Sequence, residues 1–126
     1  MLTDNYCVIT NATYRDLVLE QLPELHPSQL LLEPMRRNTA PCIGWATYHI
    51  QAKNPNANIV DTPADHLMLK EDVFDEAIQQ ALKYVANHPQ LVTLGVRPSR
   101  PETGYGYIQI TGGTEHDFVK VKTFTE

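Results

Sequence analysis

Asp72-Val73-Phe74-Asp75-Glu76-Ala77-Ile78-Gln79-Gln80-Ala81-Leu82-Lys83-Tyr84-Val85, then after a short polar link Leu91-Val92-Thr93-Leu94-Gly95-Val96, decides the fold class. In the first stretch Val73, Phe74, Ala77, Ile78, Ala81, Leu82 and Val85 recur at helical spacing and form one apolar stripe. Asp72, Asp75 and Glu76 suit the positive end of the helix dipole. This pattern predicts a helix from Asp72 to about Asn87. The second stretch is short, apolar and β-prone, and reads as a strand.

The same alternation extends towards the N-terminus. Tyr6-Cys7-Val8-Ile9-Thr10 reads as a strand, followed by a helix from about Thr13 to Leu22 that Pro23 stops. Asn11-Ala12-Thr13, formally a glycosylation acceptor, reads as the start of that helix. Gln29-Leu30-Leu31-Leu32-Glu33 is the second strand and Pro34 to Asn38 a loop. Thr39 is the expected cap of a helix running to about Lys53, with Pro41 tolerated in its first turn and Cys42, Ile43, Ala46 and Ile50 buried. Asn54-Pro55-Asn56 is a turn. Asn58-Ile59-Val60-Asp61 is the expected third strand, and Leu91 to Val96 the fourth. Two more strands are expected near Tyr105–Thr111 and Phe118–Phe124, with Gly112-Gly113 turning between them. Strand-helix-strand repetition implies an α/β domain with a mainly parallel sheet covered on both faces. Ligands in such sheets sit beyond the C-terminal ends of the strands. Glu33 to Thr39, Asp61 to His66 and a glycine-tyrosine loop near residue 105 are the groups expected there.

Composition narrows the partners. The chain has 126 residues, enough for one domain, and a net charge of −5. Nucleic-acid binders are usually basic with clustered Lys and Arg. Here the basic residues are scattered apart from Arg36-Arg37, so no nucleic-acid partner is expected, although a single nucleotide is compatible. No apolar run is long enough to cross a bilayer. Met1 to Tyr6 carries no basic region and no apolar signal core, and the expectation is a cytoplasmic protein. Cys7 and Cys42 are too few and too far apart for a disulfide framework or a zinc site, and read as reduced core residues.

Three groups could carry chemistry. Asp65 follows an expected strand, where a carboxylate can hold Mg²⁺; the other reading is that it caps a turn or pairs with His66, which reads as a structural histidine. Arg36-Arg37-Asn38-Thr39 lies between a strand and a helix. Asn can read a base edge and Arg can grip phosphate in bidentate fashion, but a solvated loop with a cap has the same sequence. In Gly95-Val96-Arg97-Pro98-Ser99-Arg100-Pro101-Glu102-Thr103-Gly104-Tyr105-Gly106-Tyr107-Ile108, two prolines stiffen an extended run before glycines and tyrosines alternate. Glycine permits close approach of a ligand or a second backbone, and the aromatics offer flat walls, as for a sugar. Tyr105 and Tyr107 could instead pack a sheet face. No glycine-rich dinucleotide fingerprint, P-loop, metalloprotease motif or serine elbow is present.

The order of these blocks resembles the mannose-1-phosphate guanylyltransferases. Leu31-Leu32-Glu33-Pro34-Met35-Arg36-Arg37-Asn38-Thr39-Ala40-Pro41 is similar to that family's EP…RNTAP block, Pro63-Ala64-Asp65-His66 to its PADH block, and Leu94 to Ile108 to its LGIxPxxPETGYGYI block. Tyr14 to Val18 with Gln21 to Leu25 resembles the segment that precedes them. The resemblance implies a Rossmann-like nucleotidyltransferase sheet and transfer of GMP from GTP to mannose 1-phosphate, giving GDP-mannose and pyrophosphate. It implies Mg²⁺ bound through Asp65, which would also be the catalytic carboxylate. Glu33, Pro34, Arg37, Asn38 and Thr39 would then face the nucleotide. Thr103, Gly104, Tyr105 and Gly106 would line the mannose side, with Glu126 at the place of a further sugar-binding glutamate. The family's opening glycine-rich strand and loop and its downstream region have no counterpart here. The expectation is therefore a single partial domain over residues 1–126, inactive alone, whose unpaired strand edges favour association with a copy of itself. A different sugar phosphate as substrate, or a non-catalytic sugar-nucleotide-binding regulatory module, are the alternatives.

Overall fold

A computed structural model describes residues 5–112 and 118–125. The chain divides into two compact units, Met1–Glu71 and Asp72–Glu126.

The first unit is built on a strand-helix-strand crossover. Strand β1, Val8–Asn11, leads through a single 3₁₀ turn, Ala12–Tyr14, into helix α1, Arg15–Gln21. The Asn11 side chain caps the turn by accepting from the Thr13 N–H at 2.9 Å, as short Asx side chains do at helix starts. Leu22 closes α1, and Pro23 cannot extend it. A second 3₁₀ turn, Pro27–Gln29, carries a reciprocal cap in which the Gln29 side chain accepts from the His26 N–H and the His26 ring accepts from the Ser28 N–H. Gln29 also donates to the Tyr6 carbonyl at 2.8 Å, fastening the entrance of the next strand to the segment before β1. Strand β2, Leu30–Glu33, then pairs parallel to β1, with Val8 opposite Leu30 and Asn11 opposite Glu33. Helix α2, Thr39–Lys53, follows. Pro41 lies in its first turn, where no N–H is needed, and Lys53 complements the negative end of its dipole.

Burial in this unit centres on β2. Leu25, Leu30, Leu31 and Ala46 are the buried hydrophobic residues among those described. Burying a leucine side chain stabilises by about 1.5–3 kcal/mol, so Leu25, Leu30 and Leu31 each contribute on that order. Cys42, Ile43 and Ile50 are half-buried, and so is Cys7; both thiols are free. The cysteines are therefore reduced, as expected, but lie at the margin of the core.

In the second unit helix α3, Glu71–Val85, appears where its apolar stripe places it. Phe74, Ala77, Ile78, Ala81, Leu82 and Val85 are half-buried, while Val73 is exposed. Strands β3, Tyr107–Thr111, and β4, Lys120–Thr125, form an antiparallel pair with an irregular register at Gln109/Ile110. Gly112 leaves β3 with φ of 90°, a conformation glycine adopts freely; Gly113 lies outside the described residues. Tyr84 of α3 is sandwiched between Phe118 and His88, with ring centroids 4.3 and 4.2 Å away and nearly parallel planes. Its hydroxyl donates to the Gln90 side chain at 2.9 Å.

Two expectations are corrected. Asn58–Asp61 and Leu91–Val96 are not strands, and the described residues hold two separate two-stranded sheets in place of one mainly parallel sheet. The physical reason is that β-propensity measures fitness for a paired, half-buried surface. Ile59, Val60, Leu91, Leu94 and Val96 are exposed, without a neighbouring strand among the described residues. The second correction concerns Thr39, which is the first helical residue of α2. Asn38 occupies the cap position.

Candidate functional site

The junction between β2 and α2 gathers most of the sequence-predicted residues of the first unit. Glu33 ends β2, and Pro34 to Asn38 carry the chain into the helix. Asn38 has φ 68° and ψ −173°, and it is the one non-glycine residue with positive φ among those described. Such a backbone costs of order 1–3 kcal/mol outside glycine and survives only where its surroundings impose it. Its backbone carbonyl nevertheless accepts the first helical bond, from the Cys42 N–H at 3.4 Å. Its side chain makes no capping bond. That leaves the amide donor and acceptor available to a base edge, and the first N–H groups of α2 available to an anion.

The two arginines of the junction differ. Arg36 lies over the Tyr14 ring, 5.5 Å from its centroid, so a cation–π contact holds it against the α1 side of the unit. Arg37 is exposed, with no such seat. Tyr14 as the seat of Arg36 was not legible from spacing, because the two residues meet only through the crossover.

Charge near the junction is visible at Cys42. Burial pushes its thiol up from the ordinary value, and the carboxylates of Glu33 and Asp61 push it further in the same direction. Asp65 sits farther along, exposed in a turn. Among the described residues no group of three or more His, Cys, Asp or Glu side chains could hold a metal ion. A lone exposed carboxylate is still compatible with Mg²⁺, which takes one or two carboxylates and completes its shell with water and phosphate oxygens.

The second unit carries the glycine-tyrosine loop. Thr103, Gly104, Tyr105 and Gly106 line an open depression of about 280 Å³. Tyr105 is 73% exposed, so its ring is not packed on a sheet face. Gly106 runs against β4; a Cβ there would stand 3.4 Å from the Thr125 carbonyl oxygen. The loop has an organiser that sequence reading passed over. Glu102 Oε1 accepts from the N–H groups of Thr103 and Gly104, and its own N–H donates to the Tyr107 hydroxyl at 2.8 Å. The signal was an acidic residue directly before Thr-Gly, able to accept from the two amides that follow it. Glu126 lies outside the described residues. A second depression of about 120 Å³ contains none of the candidate residues.

Residues 2–126 match the family model described as nucleotidyl transferase. The chain belongs to the nucleotidyl transferase family. Its mixed helix and strand content fits the α/β class read from the sequence. Among curated nucleotidyl transferase relatives, it is 38% identical to a mannose-1-phosphate guanylyltransferase of Escherichia coli, over 98% of this chain and 28% of that protein. It is 42% identical to mannose-1-phosphate guanylyltransferase 2 of Escherichia coli O157:H7, over 81% of this chain and 22% of that protein. It is 39% identical to the xanthan biosynthesis protein XanB of Xanthomonas campestris pv. campestris, over 85% of this chain and 23% of that protein. The chain thus spans between a fifth and a third of the length of these relatives. No helix among the described residues is long and apolar enough to cross a membrane.

Proposed function

We propose that this chain is part of a mannose-1-phosphate guanylyltransferase, which transfers GMP from GTP to mannose 1-phosphate and releases pyrophosphate. The observation that carries the reading is 38% identity to such a protein over 98% of the chain, with the PADH block in a loop and the other two blocks spanning a loop and the ends of the adjoining elements. The oxygen of the sugar phosphate attacks the α-phosphorus of GTP, and pyrophosphate leaves. Such a step asks the protein chiefly for alignment and charge neutralisation.

In this reading the β2–α2 junction serves the nucleotide. Asn38 presents its amide to the guanine edge, Glu33 and Pro34 line the base and ribose, Arg37 meets phosphate, and the Thr39 end of α2 offers N–H groups to negative charge. Thr103, Gly104, Tyr105 and Gly106, together with Glu126, serve the mannose. Asp65 would hold Mg²⁺, which supplies charge neutralisation between the two anionic reactants. The remaining sheet strands and the triphosphate cradle belong to the rest of a Rossmann-like domain, of which residues 1–126 form a part. The isolated chain is inactive and pairs with a copy of itself through the free edges of the β1–β2 sheet, which light scattering would detect as a dimer or larger species.

The test uses the full-length protein that carries this chain. Incubated with GTP, Mg²⁺ and mannose 1-phosphate, it should release pyrophosphate and form GDP-mannose. Other nucleoside triphosphates and other sugar 1-phosphates should react at least about tenfold less well, given one mispaired polar contact. Absence of pyrophosphate release, or a clear preference for another base or sugar, would overturn the assignment.

A further inference from the structure

The glycine-tyrosine loop should be floppy. Gly104 and Gly106 lack the Cβ that restricts a backbone, and a ligand that orders such a loop loses affinity to the conformational entropy removed. Among the described residues, one side chain offsets this. Glu102 Oε1 accepts from the Thr103 N–H at 3.1 Å and the Gly104 N–H at 3.3 Å. Its Oε2 faces Arg100 Nη2 at 3.3 Å. Its own backbone N–H donates to the Tyr107 hydroxyl at 2.8 Å, at the start of β3. The carboxylate thereby links Arg100 of the proline run to the two loop amides, while the residue's own backbone N–H ties it to the first strand of the hairpin.

Hydrogen bonds to an ionised acceptor are about twice as strong as neutral ones. Glu102 is also the half-buried member of a loop whose other residues from Thr103 to Gly106 are exposed. Its Oε1 turns to the loop backbone and its Oε2 to Arg100, while Thr103, Gly104, Tyr105 and Gly106 line the depression. We propose that Glu102 is a positioning residue for the sugar 1-phosphate. It never touches the substrate; it holds the Thr103–Gly106 loop in its binding shape before the sugar arrives.

This rests on the guanylyltransferase reading, and the experiment separates the two. In the full-length protein, Glu102→Ala and Glu102→Gln are compared with wild type by steady-state kinetics and by hydrogen exchange of peptides spanning residues 100–107. Glu102→Ala should raise KM for mannose 1-phosphate about tenfold, keep KM for GTP within about twofold, and lower kcat by less than about threefold. Glu102→Gln keeps an acceptor without the charge and should recover most of that loss. The Thr103 and Gly104 amides should exchange about tenfold faster in Glu102→Ala without ligand. Unchanged exchange overturns the proposal whatever the kinetics show. Faster exchange with an unaltered KM for the sugar phosphate, or with both KM values raised equally, overturns it too. A wild-type protein that makes no pyrophosphate overturns the reaction instead, and exchange alone then decides for the loop.

Discussion

The two units hold their candidate loops by opposite means. Residues Met1–Glu71 contain every buried hydrophobic side chain described, and their loop from Pro34 to Asn38 is clamped between a paired strand and a long helix. The described residues of Asp72–Glu126 include no buried side chain, and their loop is held by a carboxylate that folds back on its own backbone. A loop anchored in secondary structure can afford a strained residue such as Asn38. One without a core beneath it needs its restraint within the loop itself.

The sharpest way to separate position from packing is Asp65, which lies in the first unit yet outside its core. Asp65→Asn should lower pyrophosphate release in the full-length protein by about 100-fold or more, because a metal-borne charge stabilisation is worth several kcal/mol. Thermal unfolding should not change. An unaltered rate would remove Asp65 from the metal role.

Next in size is the difference between cores. Leu31→Ala should destabilise the chain by about 2–4 kcal/mol in urea unfolding. Val73→Ala, at an exposed helix position, should stay within about 0.5 kcal/mol. Equal costs would mean that the two units are supported alike. The strained residue comes third. Asn38→Gly should stabilise the first unit by about 1 kcal/mol, because glycine adopts the observed backbone without cost. In the full-length protein it should also raise KM for GTP, since the amide proposed to read the base is lost. Stabilisation without any change in KM would leave Asn38 a purely conformational feature.

The smallest effect concerns the thiols. Burial raises both above the ordinary 9.0, with Lys53 opposing at Cys7 and with Glu33 and Asp61 adding at Cys42. A raised folded value means that the protonated thiols favour the fold. Their contribution is fully present below pH 9.0 and fades as pH climbs through the folded values. Alkylation at pH 8.5 should be slower in the folded chain than in urea, and equal rates would contradict the raised thiols.

Helices and the first parallel pair were legible because their signals are local. The stripe from Val73 to Val85, the stop at Pro23 and the Leu30–Glu33 run each carry their own instruction. Asn58–Asp61 and Leu91–Val96 were misread because a strand needs a neighbour, and no local pattern supplies one. Thr39 was read as a cap because Thr favours that place and Pro41 then falls in the first turn. The strained backbone at Asn38 is set by the chain's path from β2 into α2, which spacing does not encode. Glu102 was missed for a related reason: its role appears only once the two following amides turn towards it.

Trp45 is the chain's one tryptophan, and it stands on α2 with the His49 ring 6.1 Å away, one turn along the helix. Its emission is therefore a native optical reporter of the first unit, needing no label. A fluorescence melt and a far-ultraviolet dichroism melt recorded on one sample would show whether that unit is lost before, with or after the remaining helix and hairpin.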